Sequence, residues 1–287
     1  MDQQKPKIYR NPAAWLKHQR SRPVVSVLRL EGVIATGRGS PLRQGSLNLA
    51  NLNSQIEQAF KPKRLSAVAL QVNSPGGSPV QSALIAGAIR RKAEKKKVPV
   101  FAFAEDVAAS GGYWLMTAAD ELYAHPSSMV GSIGVIYAGF GFQDLISRYG
   151  VERRVHTAGD RKVMLDPFSP EKEEDIERLT AMQEKIHGQF MDQVKERRAD
   201  KLNRRRYKEI FSGEVFVGEE AVRLGLLDEL GDMDGVLRQK FGEELVLKRI
   251  SVKSSPIRRL LGGAHRDIAG DAITALDDRL AWSRFGL

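Results

Sequence analysis

The chain has 287 residues and no cysteine, with 42% hydrophobic residues, 28% charged residues and a formal net charge of +10. These values predict a globular protein that can bury a full core, and they exclude a disulfide framework, a thiolate nucleophile and a zinc–thiolate site. The basic clusters lack interleaved aromatic residues and any nucleic-acid-binding motif, so we interpret them as solvated helix faces and expect no specific nucleic-acid partner.

The first 23 residues form a basic arm. They contain six Lys or Arg side chains between scattered apolar residues, which does not match the apolar region of a signal peptide. The chain also lacks an uninterrupted apolar run of about 18 residues, as a conventional membrane span requires. We therefore expect a cytoplasmic protein, with weak peripheral attachment of the arm to anionic lipid at the inner membrane.

The first half of the chain predicts two successive strand-turn-helix units. Residues 24–36 alternate as in a strand and are followed by a Gly/Ser-rich loop, a short helix over 51–60 and a second strand over 65–72. The second strand ends in the sequence NSPGG, and Ser78 with Pro79 are typical of a helix start, here for a helix that continues to about Lys96.

The second unit begins with an apolar strand over 98–104 and leads through Ser110-Gly-Gly to a helix over 112–119. Two such units predict right-handed crossovers, a mostly parallel sheet and a crevice at the carboxyl ends of its strands. The glycine loop at 76–77 and Ser110 would share that crevice.

The second half of the chain carries weaker local signals. Predicted strands cover 121–125, 133–138, 151–157 and 245–252. Predicted helices cover 142–149, a long segment opening at Ser169-Pro170, and short segments at 207–211, 221–224 and 233–241. Residues 159–168 form a loop that contains Lys162, and residues 271–282 are amphipathic.

Ser110 is either the N-cap of a helix or a nucleophile. Its neighbours are small, which allows other backbone to approach closely, but Ala108 stands where a Gly-x-Ser-x-Gly elbow needs its first glycine. A Ser-His-Asp site remains open through His125 or His156, without support from a motif. Lys162 is the other candidate base, because a lysine that is kept neutral by apolar surroundings can accept a proton.

Five motifs together resemble the signal peptide peptidase A family of serine/lysine peptidases, whose fold is akin to those of the Clp proteolytic subunit and the crotonases. They match in order and spacing along roughly residues 24–240. The motifs are residues 73–77 (NSPGG), 109–113 (ASGGY), 129–135 (MVGSIGV), 159–162 (GDRK) with 167–168 (PF), and 213–218 with 225–228 (GLLD).

The resemblance implies an α/β chain of the Clp protease/crotonase-like fold, built from repeated strand-turn-helix units. By position it makes Ser110 the nucleophile, Lys162 the general base and Ser132 a residue that orients the lysine amine. It assigns the oxyanion hole to the main-chain N–H groups of Gly77 and Gly111, because glycine leaves those groups unshielded.

The same resemblance implies a groove for extended apolar peptides, such as signal peptide remnants, lined by Asn73, Ser74 and Gly76. Asn73 has the alternative of a simple Asx turn before the helix. The resemblance implies no metal ion and no organic cofactor. It further implies a ring-like homo-oligomer, in which the catalytic pair forms either within one chain or between two.

Three parts of the chain are predicted on this interpretation: a basic arm over 1–23, a catalytic domain over 24–250 and a tail with an amphipathic helix over 251–287. Many family members carry an N-terminal membrane helix where this sequence has the basic arm, and Glu214 stands where we expect arginine. We therefore expect peptides as the substrates, with signal peptides as one class among them.

Two other functions remain alternatives. A crotonase-like acyl-CoA enzyme would share the fold and the oxyanion device, but it has no use for a serine paired with a lysine. A catalytically inactive or partner-activated peptide-binding scaffold would keep the same fold, and only a test of peptide turnover separates it from a peptidase.

Overall fold

A computed structural model describes residues 22–36, 46–159, 161–251 and 279–287. Most of the basic arm and most of the amphipathic segment lie outside these ranges, so the three-part division of the chain stays a prediction. Within the described ranges, no helix is both long and apolar enough to cross a bilayer.

The described residues form one mixed sheet of eight strands, with β6-β5-β3-β2-β1-β8 as its main path; β4 branches from β3, and β7 pairs with β4. Every pair is parallel except β5 with β6. The strands are β1 Val24–Glu31, β2 Leu65–Ser74, β3 Val100–Ala109, β4 Glu121–Ala124, β5 Met129–Gly131, β6 Val215–Val217, β7 Glu229–Leu230 and β8 Val246–Arg249.

Helices connect the strands in the order that the sequence predicts for repeated strand-turn-helix units. The helices are α1 Leu49–Ala59, α2 Pro79–Lys96, α3 Gly111–Met116, α4 Gln143–Arg148, α5 Glu173–Arg198, α6 Tyr207–Ile210, α7 Gly218–Leu224 and α8 Met233–Phe241, with a 3₁₀ turn at Arg204–Arg206. Ser78 caps α2 by accepting a hydrogen bond from the Gln81 N–H, and Pro79 occupies its first turn as predicted.

The central strands are apolar because both faces of the sheet are covered. A large cluster that includes Leu70, Ile85 and Tyr113 packs between one face and helices α1 to α3. A smaller cluster, which includes Phe101 and Leu237, packs between the other face and α8. Because β2 and β3 are parallel neighbours in this sheet, their carboxyl ends lie side by side.

Two predicted strands are wrong. Residues 133–138 and 151–157 form no strand, and the ladder is instead completed by β5 and by the antiparallel β6, which the sequence analysis missed. Half of the first segment and all of the second are exposed. A strand needs a neighbouring backbone to bond, and an apolar pattern does not supply one.

A buried ion pair fixes the long helix α5 to the sheet. Arg198, which is 1% exposed, donates to the Gly225 carbonyl and, at 2.6 Å, to Asp228 Oδ2. Asp228 also accepts the Leu122 N–H at 2.7 Å. Burial alone would raise the pKa of Asp228, but the hydrogen bonds from Arg198 and Lys201 outweigh it and hold the pKa below its usual value.

We expect Asp228→Ala to lower the free energy of unfolding by about 3–5 kcal/mol, because it leaves the Arg198 guanidinium buried without its counter-charge. The control Asp234→Ala removes an exposed pair with Arg238, and it should cost at most about 1 kcal/mol. Urea unfolding at neutral pH measures both. Equal losses in the two variants would contradict the assignment.

The pH dependence has a definite sign. Because the pKa of Asp228 is depressed in the folded state, its contribution to stability is complete above the pKa of an unfolded aspartate and is lost as the pH falls through the folded value. The stability difference between wild type and Asp228→Ala should therefore shrink below about pH 4.

Candidate active site

Ser110 lies at the sharp turn between β3 and α3. Its backbone has φ 51° and ψ −121°, and a positive φ is strained for a residue with a side chain. The Ser110 N–H donates to the Gly131 carbonyl at 2.8 Å, and its carbonyl accepts the Trp114 N–H at 3.0 Å. Ser110 occupies the N-cap position of α3, but its hydroxyl caps no N–H of that helix, so side-chain capping does not account for the serine.

The glycine loop between β2 and α2 packs directly against this turn. Gly76 has φ +105°, and a Cβ added there would lie 2.8 Å from Ser110 Cβ and 2.9 Å from Gly111 N. The loop is held in place by Ile34, whose N–H donates to the Gly76 carbonyl at 2.8 Å and whose carbonyl accepts the Ser78 N–H at 2.7 Å. A side chain at position 76 would therefore displace the serine turn.

The main-chain N–H groups of Gly77 and Gly111 lie close to each other beside the serine turn. A Cβ on Gly111 would lie 3.3 Å from Gly77 N, so the two glycines are neighbours across the crevice. Within the described residues, neither N–H donates a hydrogen bond to another protein group. Paired, unused donors beside a strained serine are the arrangement that can stabilise a developing oxyanion.

Asn73 and Ser74 bind other parts of the protein. Ser74 has no exposed surface, and its hydroxyl donates to the Gly32 carbonyl at 2.7 Å and accepts the Gly76 N–H at 3.2 Å. The Asn73 amide bonds to β3. In this conformation both side chains support the loop from within, and their contact with a substrate stays a prediction, as does that of Gly76.

Ser132 lies in the turn after β5, next to the residue whose carbonyl holds the nucleophile turn. It directly follows Gly131, the residue that accepts the Ser110 N–H. Ser132 is 8% exposed with φ 50°, and its N–H donates to the Glu214 carbonyl at 2.7 Å. His187 on α5, which the sequence analysis did not single out, contacts the Ile133 carbonyl at 2.9 Å and braces the same turn.

Lys162 stands apart from these groups. It is exposed in a stretch without regular structure, and its backbone N–H donates to the Gly159 carbonyl at 3.1 Å. Among the described residues, the Lys162 amine takes part in no hydrogen bond or ion pair, so nothing joins it to Ser110 or Ser132. The chain thus brings together the predicted nucleophile, oxyanion glycines and Ser132, but not the predicted base.

The segment that carries Lys162, residues 135–168, is called the lysine arm below. Its internal contacts include the Phe142 and Phe168 rings, 5.7 Å apart, and the pair of Arg153 with Asp166 at 2.8 Å. Its exposed large apolar side chains are Ile136, Tyr137, Phe140, Phe142, Leu145, Tyr149, Val151, Val155 and Val163. Apolar exposure of this extent is typical of an interaction surface.

The described residues contain no group of His, Asp and Glu that could hold a metal ion. Like Lys162, neither His125 nor His156 forms a bond to Ser110 among these residues. The Nδ1 of His125 instead accepts the N–H of Ser127 at 3.2 Å.

Comparison with known proteins places the chain in a family. The model of peptidase family S49 matches residues 92–244, just over half of the sequence. The chain belongs to peptidase family S49. The matched region contains Ser110, Ser132 and Lys162, whereas the glycine loop precedes it.

The chain is similar to part of two longer proteins. A Brucella abortus protein named Na⁺/H⁺ antiporter NhaA is 48% identical over 275 residues, covering 92% of this chain and 37% of that protein. The chloroplastic serine protease SPPA of Arabidopsis thaliana is 28% identical over 261 residues, covering 87% of this chain and 38% of that protein. The chain spans little more than a third of either relative, so the activity named for either relative is not assigned to this chain.

The fold has a solved counterpart. The 1510-N membrane-bound stomatin-specific protease, in a serine-to-alanine mutant form, superposes with a TM-score of 0.51 at 14% identity, covering 81% of this chain and all of that one. At this identity the match shows the fold alone. The predicted α/β fold of the Clp protease/crotonase type is confirmed.

Proposed function

We propose that this S49 chain is a serine endopeptidase in which Ser110 is the nucleophile. The observation that carries the proposal is the strained Ser110 turn beside the two unused N–H groups of Gly77 and Gly111. The stomatin-specific protease adds support, because it was also solved as a lysine-to-alanine mutant in complex with a substrate peptide. That pair of mutants is in keeping with a serine and a lysine as the working groups.

The proposed reaction uses these groups in two halves. Ser110 Oγ attacks the peptide carbonyl while the neutral Lys162 amine takes the hydroxyl proton, and the N–H groups of Gly77 and Gly111 bind the oxyanion. The lysine then gives its proton to the leaving amine, which leaves an acyl-enzyme on Ser110. In the second half, the amine activates a water molecule that releases the acid product and restores the serine.

The base has to be delivered to the nucleophile. A lysine acts as a base near neutral pH only when it is withdrawn from water, and Lys162 is exposed on the lysine arm. We propose that the lysine arm docks on a neighbouring chain in a ring-like homo-oligomer. Docking would bury the Lys162 amine beside Ser110 and Ser132, and Ser132 would orient it. Because Lys162 forms no bond to Ser110 or Ser132 among the described residues of the single chain, we favour pairing between neighbouring chains.

Mixing two inactive variants tests that pairing. We expect Ser110→Ala and Lys162→Ala chains, co-refolded in equal amounts, to recover activity. Random assembly gives about a quarter of the head-to-tail sites an intact Ser110 from one chain and an intact Lys162 from its neighbour. Peptide hydrolysis is measured on mixed oligomers purified through two different tags. Mixed oligomers without activity would contradict pairing between chains.

The substrates that suit this site are extended apolar peptides, of which signal peptide remnants are one class. Hydrolysis of apolar fluorogenic peptides and labelling of Ser110 by a fluorophosphonate test the function directly. If assembled wild-type protein shows neither, the peptidase proposal fails and the peptide-binding scaffold replaces it.

The basic arm adds weak attachment to anionic vesicles, which should weaken as salt is raised.

A further inference from the structure

Strand β3 carries an irregularity just before the nucleophile. In the ladder between β2 and β3, Val72 pairs with Ala104 and Ser74 pairs with Ala108. One residue of β2, Asn73, therefore stands opposite three residues of β3. This is a bulge with two extra residues, and bulges near active sites bend a strand and re-aim the side chains beyond the bend.

The bulge lies where β3 changes its partner on the side away from β2. Before it, residues 101–104 pair with β4; from its last residue onward, residues 107–109 pair with β5. The β5 pairing continues directly into the hydrogen bond from the Ser110 N–H to the Gly131 carbonyl. The change of partner strand thus coincides with the bulge.

The Asn73 side chain spans this bulge. Its Oδ1 accepts the Val107 N–H at 3.2 Å, and its Nδ2 donates to Asp106 Oδ2 at 3.1 Å. Its own carbonyl accepts the Gly32 N–H at 2.9 Å, which ties the same residue to the end of β1. A residue with one donor and one acceptor on a short, stiff stem is needed to make both side-chain bonds.

We propose that Asn73 is a positioning residue that holds the β3 bulge closed, and through it the orientation of Ser110. This differs from a substrate-binding role because both ends of the amide are used by β3. It rests on the proposed function only in that Ser110 is the reacting group. Misplacing a reacting atom by about 1 Å can cost about two orders of magnitude in rate.

A reciprocal exchange tests the proposal. Asn73→Asp places a carboxylate against that of Asp106, so the bridge breaks and kcat should fall about 100-fold, with KM changed by less than about threefold. Asp106→Asn alone keeps an oxygen for the Asn73 amide and should stay within about threefold of wild type. The double variant rebuilds the bridge with donor and acceptor reversed, and its kcat should return to within about threefold.

Gln71→Glu is the matched control. Gln71 Nε2 donates to Glu105 Oε1 at 2.7 Å, so this variant also sets two carboxylates against each other between the same strands. Arg29, 3.1 Å from Glu105, and Arg249, 3.4 Å from Gln71, lie beside that pair to compensate. Gln71→Glu should keep kcat within about twofold of wild type, because Gln71 itself pairs with Phe103 before the bulge and the two arginines offset the added charge.

Amide hydrogen exchange over residues 105–109 gives a readout that needs no catalysis. Exchange should quicken in Asn73→Asp and return to the wild-type rate in the double variant. Unchanged exchange and kcat in Asn73→Asp would overturn the proposal, and so would a double variant that stays impaired with a raised KM, since that marks Asn73 as a substrate contact. If wild type has no activity, the peptidase proposal fails, while the exchange data still decide whether Asn73 closes the bulge.

Discussion

Ser110→Ala and Lys162→Ala should each lower peptide hydrolysis by at least about 10⁴-fold, since removing either member of a nucleophile–base pair disables the unit that both form. Ser110→Ala removes the oxygen that becomes acylated. Lys162→Ala leaves the hydroxyl without a group to take its proton. Neither side chain belongs to the buried core, so thermal unfolding should be nearly unchanged.

Matched controls separate the chemistry from surface charge. Ser127→Ala and Lys172→Ala alter exposed residues near the same elements and should retain full activity. Ser132→Ala should lose activity only in part, about 10- to 100-fold, because it orients the base and is not consumed. Steady-state kinetics on an apolar fluorogenic peptide provide the measurement. Near-normal turnover by Lys162→Ala would show that the base is another group.

Gly76→Ala should lower kcat by at least about 100-fold, because its new methyl group would push on Ser110 and on the Gly111 N–H, and loss of one oxyanion donor alone costs that much. The clash is unavoidable in this fold: the added Cβ would lie 2.8 Å from Ser110 Cβ and 2.9 Å from Gly111 N. The backbone angle adds strain of about 1–3 kcal/mol.

Gly32→Ala is the control for that strain. Gly32 has φ +107°, almost the same as Gly76, but an added Cβ there would meet nothing within 4 Å. We expect both variants to lose similar stability from backbone strain, whereas only Gly76→Ala loses activity. Peptide hydrolysis gives kcat, and fluorophosphonate labelling reports the reactivity of Ser110. Comparable kcat values and comparable labelling in the two variants would contradict the placement of the oxyanion hole.

The parts of the fold that the sequence predicts well are those whose local signals agree with their packing. Helix α2 begins at Pro79 and ends at Lys96 as expected, and α8 covers 233–241 as expected, because cap residues and apolar spacing both mark these helices. The long helix begins at Glu173 and not at Ser169, whose N–H bonds to the Asp166 carbonyl in a preceding turn. Local turns of this kind compete with a helix start.

The predictions that failed concern pairing between distant segments. Residues 151–157 have the composition of a strand but no strand beside them, whereas the short β6 is a strand because it meets β5. Likewise, no local sequence pattern predicted the bulge in β3 opposite Asn73. Pairing depends on which backbone lies alongside, and that is a property of the folded chain.

The sequence by itself determined the fold class, the residues at the two glycine turns and the family motifs, because these rest on apolar periodicity and on short stretches of neighbouring residues. Only the tertiary structure decided that Ser110 has a strained backbone and a hydroxyl that caps no N–H, that Gly77 and Gly111 are neighbours, and that Lys162 is exposed. Those features arise from the meeting of segments far apart in the chain, and the energy of such contacts is not written in any one of them.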